Sequence, residues 1–138
     1  MDANFPEVYE YMKRSYDRTE QYREAIDARQ TRRRLLGLDA HETPALAEAA
    51  ATTDPRVYWQ KRLEQELDES KTEGFQPYEF AEIYAQAGDT ARALEWLERA
   101  CNDHDFMMMY VRVAPNLAPL RDEPKYRDIV TRGCAVTE

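Results

Sequence analysis

The sequence predicts an all-α fold, a solenoid of about three helical hairpins closed by a C-terminal capping segment. Three observations carry this reading. An aromatic–small pattern returns at a fixed distance: Pro77–Asp89 followed by Ala93, Leu97 and Ala100 is echoed near the N-terminus by Tyr9, Met12, Tyr16, Tyr22, Ala25 and Ile26. Tyr16 and Tyr84 lie 68 positions apart, as do Ala25 and Ala93, and this is twice a period of about 34 that marks stacked helical hairpins. Five of the seven prolines, Pro6, Pro44, Pro55, Pro77 and Pro124, stand where a helix would begin. Proline suits the first helical turn because its missing N–H has no intrahelical partner there. Finally, four glycines in 138 residues are too few for the many tight turns of a β-rich fold.

Apolar spacing places helices over about 5–17, 20–36, 44–53, 55–71, 77–87 and 90–102, with a last short one near 123–132. In the first, Tyr9, Met12 and Tyr16 line one face. Thr43-Pro44 and Asp54-Pro55 each set a capping side chain before the proline. After Pro55, Tyr58, Trp59, Leu63 and Leu67 recur at helical spacing. Gly88-Asp89 reads as a helix stop followed by a new N-cap. Ala93, Leu94, Leu97, Ala100 and Cys101 then form one apolar stripe. Ala47, Ala81 and Ala93 sit where the helices of a hairpin approach closely; a large side chain there would cost about 1–3 kcal/mol. The segment between 102 and 123 reads as an irregular connector.

Composition bounds the function. Hydrophobic residues make up 43% and charged residues 33%, enough for one packed domain with a well-solvated exterior. No apolar run approaches the length of a membrane span, and Met1–Pro6 lacks the basic start and apolar stretch of a signal peptide. The expected location is the cytoplasm. Cys101 and Cys134 have neither metal nor redox spacing, so two free thiols are expected. A net charge of −8 works against nucleic-acid binding.

These residues resemble the tetratricopeptide repeat family. Units of that period fall near 6–39, 40–73 and 74–107, with a cap over about 108–133. In the third unit Ala81, Tyr84, Gly88, Ala93, Leu97 and Ala100 match the family's small, aromatic, glycine, alanine, large and alanine positions. The first keeps Tyr16, Tyr22 and Ala25 but carries Lys13, Arg29 and Arg32 where small or apolar residues are usual. The second keeps Ala47 and Leu63 but has Trp59 in place of alanine. The ending Tyr110–Tyr126 with Ile129-Val130 is similar to the close of tetratricopeptide regions in bacterial winged-helix regulators, adenylate cyclases and serine/threonine kinases. A solenoid needs such a cover over its last unit. The expected covering residues are Tyr110, Val111, Val113, Leu117, Leu120, Tyr126, Ile129 and Val130, with Trp96 meeting them. Asp2–Pro6 resembles a linker between two such repeats, which implies a C-terminal piece of a longer protein. A naturally short protein remains the alternative.

Chemical constellations are few. Asp103-His104-Asp105 reads as a polar helix end, since residues one or two apart do not share a helix face for metal binding. Arg29, Arg32, Arg33 and Arg34 read as a solvated basic end of one helix. Met107–Met109 reads as filler between helix and cap. The acidic pairs Glu64/Asp68 and Glu95/Glu98 lack a pocket that would shift their pKa values apart. No catalytic residue, cofactor or metal is expected, and the chain is not expected to be an enzyme.

The expected function is a non-catalytic protein–protein interaction module or scaffold in a bacterial signalling protein. By resemblance, the first helix of each hairpin lines a concave groove. That implies Phe75, Tyr78, Glu82, Ala85 and Gln86 in the third unit, and Glu7, Glu10, Arg14, Asp17 and Arg18 in the first. Phe75 and Tyr78 would supply rigid apolar contact, with Glu82, Gln86, Glu10 and Arg14 as polar neighbours. The expected partner is a protein or peptide, neither nucleic acid nor membrane. The alternative is a structural segment that self-associates without a separate ligand.

Overall fold

The computed structural model describes residues 5–38, 40, 44–52, 54–132 and 134. Among these, regular structure is entirely helical. The elements are α1 (Pro6–Arg18), α2 (Tyr22–Leu35), α3 (Pro44–Ala50), α4 (Pro55–Glu73), α5 (Pro77–Ala87), α6 (Thr90–Asn102) and α7 (Pro124–Thr131). Two 3₁₀ segments, Phe106–Tyr110 and Pro115–Leu120, lie between α6 and α7. The five prolines named above each open a helix, and only α3 stops clearly short of its expected end. The chain forms two compact units, Met1–Tyr58 and Trp59–Glu138, whose boundary falls inside α4.

In the first unit α1 and α2 make an antiparallel hairpin. The turn closes where the Gln21 N–H donates to the Tyr16 carbonyl at 2.9 Å, with Glu20 in the left-handed region at φ 59°. Ala25 and Ile26 are fully buried, and the Tyr22 ring stacks on Tyr58 with centroids 4.1 Å apart. Four charged side chains, Lys13, Asp17, Arg29 and Arg33, are buried as well. Half of the arginine cluster is therefore not the solvated face expected from the sequence. The α2 face that buries Ala25 and Ile26 also carries Arg29 and Arg33 inward, one turn and two turns further on. Glu10 gathers charge beside α2: Lys13 lies 3.2 Å away, Arg14 2.8 Å and Arg32 3.6 Å. In α3, Leu46 and Ala49 are buried and Ala47 partly so. The expected Thr43 cap and the linker-like Asp2–Asn4 lie outside the described residues. The Asp54 cap is present, its carboxylate accepting the Arg56 N–H at 3.0 Å.

The second unit is built on α5 and α6. Ala81 and Ala93 are both fully buried, so the small side chains stand in the packed interior as the pattern requires. Gly88 closes α5 at φ 94°, a left-handed conformation that residues with a Cβ adopt only with strain. The Asp89 side chain then caps α6 by accepting the Arg92 N–H at 3.1 Å. Upstream, Arg62 of α4 is buried. It donates to Glu66 at 2.8 Å, reaches Glu79 at 3.5 Å and lies over the Trp59 ring at 5.0 Å.

The connector is more regular than its sequence suggests. Met108, Val111, Ala114, Leu117 and Leu120 are all buried in the α5–α6 core, at a spacing of three. That is the period of a 3₁₀ helix, in which residues three apart eclipse. Tyr110 and Val113, expected to cover the hairpin, fall off this period and are 44% and 69% exposed. Met108 is buried and Met107 partly so, while Met109 faces solvent. Asp105 caps the first segment by accepting the Met107 N–H at 2.9 Å. The Tyr126 hydroxyl donates to the Val111 carbonyl at 2.9 Å, tying α7 to the connector.

Cys101 and Cys134 form a disulfide with Cα atoms 4.9 Å apart, so the expectation of two free thiols fails. The pairing has no sequence motif because it is made by the fold. The last turn of α6 and Cys134, three residues beyond α7, meet when α7 packs back on α6, within ordinary bridging distance. Among the described residues, no helix is long and apolar enough to cross a membrane.

Candidate interaction surface

The six residues expected to form a groove divide between the two units. Glu10 and Arg14 belong to the first, where they pair with one another at 2.8 Å. Phe75, Tyr78, Glu82 and Gln86 belong to the second. Phe75 is 43% exposed, whereas Tyr78 and Glu82 are buried at 1% and 6%. Gln86 is half-buried, and its amide donates to the Asn116 carbonyl at 3.0 Å. Gln86 thus links α5 to the second 3₁₀ segment, an expected binding residue occupied with the fold.

Phe75 is the one exposed apolar member, and the structure gives it neighbours that the sequence reading did not place beside it. Gly74, at φ 84°, turns the chain after α4, and Phe75 stands two residues before Pro77 opens α5. Its ring lies 5.1 Å from Trp96 and 5.4 Å from Phe80. Phe80 stacks on Trp96 at 5.1 Å, the planes inclined by 27°. Phe80 is buried and Trp96 half-buried, so the cluster runs from core to solvent. Above it the Arg99 guanidinium lies 5.0 Å from the Trp96 centroid and 5.9 Å from that of Phe75. Arg99 also approaches Asp103 at 3.9 Å. The clue available in sequence was Trp96 itself, which lies off the main stripe of α6 while Arg99 follows one turn later.

This arrangement offers an aromatic contact surface with a charged rim. An aromatic face fixed by stacking loses little side-chain entropy on binding, and an arginine held over it offers charge and planar donors at the rim. A guanidinium over an aromatic ring contributes about 0.5–1 kcal/mol at an exposed site. On the far side of α6, Arg132 donates to Glu98 at 2.6 Å and pairs with Asp128 at 3.2 Å. The Glu98 hydrogen bond raises the Arg132 pKa further above its ordinary value. Of the two acidic pairs, Glu64 and Asp68 are likewise engaged in surface ion pairing, Glu64 with Lys61 at 3.4 Å and Asp68 with Lys71 at 3.5 Å.

The chain matches no family model, no curated protein and no solved structure.

Proposed function

We propose that the chain is a non-catalytic protein-interaction module of the tetratricopeptide type, part of a bacterial signalling or regulatory protein. It docks a peptide or domain through Phe75, with Trp96 and Arg99 completing the contact. The observation that carries this reading is the exposed Phe75 ring held against Trp96 beneath the Arg99 guanidinium. Tyr78 and Glu82 are buried and are not part of this contact. Aromatic and arginine side chains concentrate binding energy at protein interfaces, where truncating one costs about 2 kcal/mol or more.

The test is affinity capture from a lysate with three immobilised proteins: the unchanged chain, Phe75→Ala and Arg99→Ala. Both replaced side chains stand at the surface, Phe75 being 43% exposed, so each variant is expected to remain folded. A protein retained by the parent and lost by both variants supports the reading. Capture that ignores both replacements contradicts it.

A further inference from the structure

We propose that the Cys101–Cys134 disulfide is a reversible redox clamp: a dithiol reductant opens it at Cys134 and frees the chain end beyond Ile129, while the α5–α6 core stays closed. This rests on the fold and not on the Phe75 reading. The two ends of the bond stand in different surroundings. Cys101 lies near the end of α6, 6% exposed and part of the apolar core. Cys134 lies beyond α7 and is half-buried at the edge of the same core. Thiol–disulfide exchange needs access to one sulfur, and Cys134 offers the more accessible end.

The bond also fastens the element least able to hold itself. Helix α7 has eight residues, too few to persist as a helix by itself in water. It is anchored early. Tyr126 and Ile129 are buried, and the Tyr126 hydroxyl donates to the Val111 carbonyl at 2.9 Å. Past Ile129 the anchors thin out. Val130 is half-buried, Thr131 and Arg132 are exposed, and Arg132 pairs with Glu98 at 2.6 Å at the surface. A surface ion pair adds little against opening, so the covalent bond is what closes this end. The core beneath has no such need. Helices α5 and α6 and the 3₁₀ segments bury Ala81, Leu97, Leu117 and Leu120 completely by packing against one another.

The early anchors also make opening reversible. Tyr126 and Ile129 stand eight and five residues before Cys134. They keep the freed cysteine near Cys101, so closure is intramolecular and favoured by a high effective concentration. In the opening step a thiolate of the reductant attacks the Cys134 Sγ. The Sγ–Sγ bond breaks, and its electron pair leaves with Cys101, which takes up a proton. The second thiolate of the reductant then attacks the mixed disulfide. Cys134 is released as a thiol and the reductant becomes a disulfide, so two electrons and two protons pass to the chain.

The test uses the full chain in native buffer with graded mixtures of reduced and oxidised dithiothreitol. Thiols are trapped by alkylation and counted by mass, and amide hydrogen exchange is read residue by residue. Both cysteines should become alkylated together while the helical circular dichroism is kept. Exchange at Val130, Thr131 and Arg132 should quicken by about tenfold or more, with α5 and α6 unchanged. Oxidised dithiothreitol should restore both the bond and the protection. Cys134→Ser should show the fast exchange at this end whether or not reductant is present; should that variant fail to fold, the reduced parent carries the comparison. A bond that yields only after denaturant unfolds the chain overturns the proposal. So does reduction that quickens exchange in α5 and α6 equally, a reduced chain whose end stays as protected as before, or two free thiols in the folded chain before any reductant is added.

Discussion

Lys13 and Ala81 lie 68 residues apart, the first in α1 and the second in α5, and both are buried. The same step relates Asp17 to Ala85, Arg29 to Leu97 and Arg33 to Cys101, and all of these are buried too. At these four positions the two hairpins thus hide the same sites and fill them with opposite chemistry, although Phe80 and Ile83 are buried where Met12 and Ser15 are exposed. Burial follows the hairpin geometry, which fixes which positions of each helix face its neighbours. What may stand there is decided by local partners. In the first hairpin Glu10 lies 3.2 Å from Lys13, while Ala81 meets an apolar cluster. A buried ion pair gains little net stability over a well-packed apolar pair, but removing one partner is costly because a buried charge is left behind. The α5–α6 hairpin gains by the plain route of area and close packing. The α1–α2 hairpin gives up part of that gain and leaves its apolar side chains on the outside of α1.

The second hairpin also has a cover, and disturbing it sharpens the contrast. Among changes to the cover, the largest effect is expected from Leu120→Ala. Leu120 is fully buried among α5, α6 and the 3₁₀ segments, and its truncation should cost about 3–5 kcal/mol in denaturant melts. An unchanged midpoint would mean that the cover is not part of the cooperative core. A smaller loss should follow from opening the Cys101–Cys134 bond, which closes a separation of 33 residues. Reduction should lower stability by about 3 kcal/mol, and alkylation of the unreduced chain should label neither cysteine. Two labelled thiols in the folded, air-equilibrated protein would remove the bond from the account.

Much of this was legible in the sequence where one residue dictates one local geometry. Pro77 and Gly88-Asp89 bound α5 and start α6 because a missing N–H, a left-handed turn and a capping carboxylate each admit few alternatives. Ala81, Ala93 and Leu97 were legible as core because their spacing fits one helical period. The buried row Met108, Val111, Ala114, Leu117 and Leu120 is only partly legible, since its period of three differs from the α-helical period. Charge misled at Arg29 and Arg33, because composition says solvent while the register of α2 says interior. The Cys101–Cys134 pair and the contact of Phe75 with Trp96 were invisible for another reason. Each joins distant segments, and no local rule connects them. The buried position of Tyr78 follows likewise from packing that a groove pattern does not specify.

The most direct measurement of the central claim, that geometry fixes burial and neighbours fix tolerance, is a reciprocal pair of thermal and denaturant melts. Ala81→Lys places the charge of the first hairpin in the apolar second one, and Lys13→Met does the reverse. The account predicts that Ala81→Lys loses more than about 4 kcal/mol or fails to fold, through overpacking and an unpartnered buried charge. Lys13→Met should stay folded with a loss of no more than about 1.5 kcal/mol, since Glu10 keeps Arg14 and Arg32. Equal losses from the two, or an Ala81→Lys variant as stable as its parent, would contradict it.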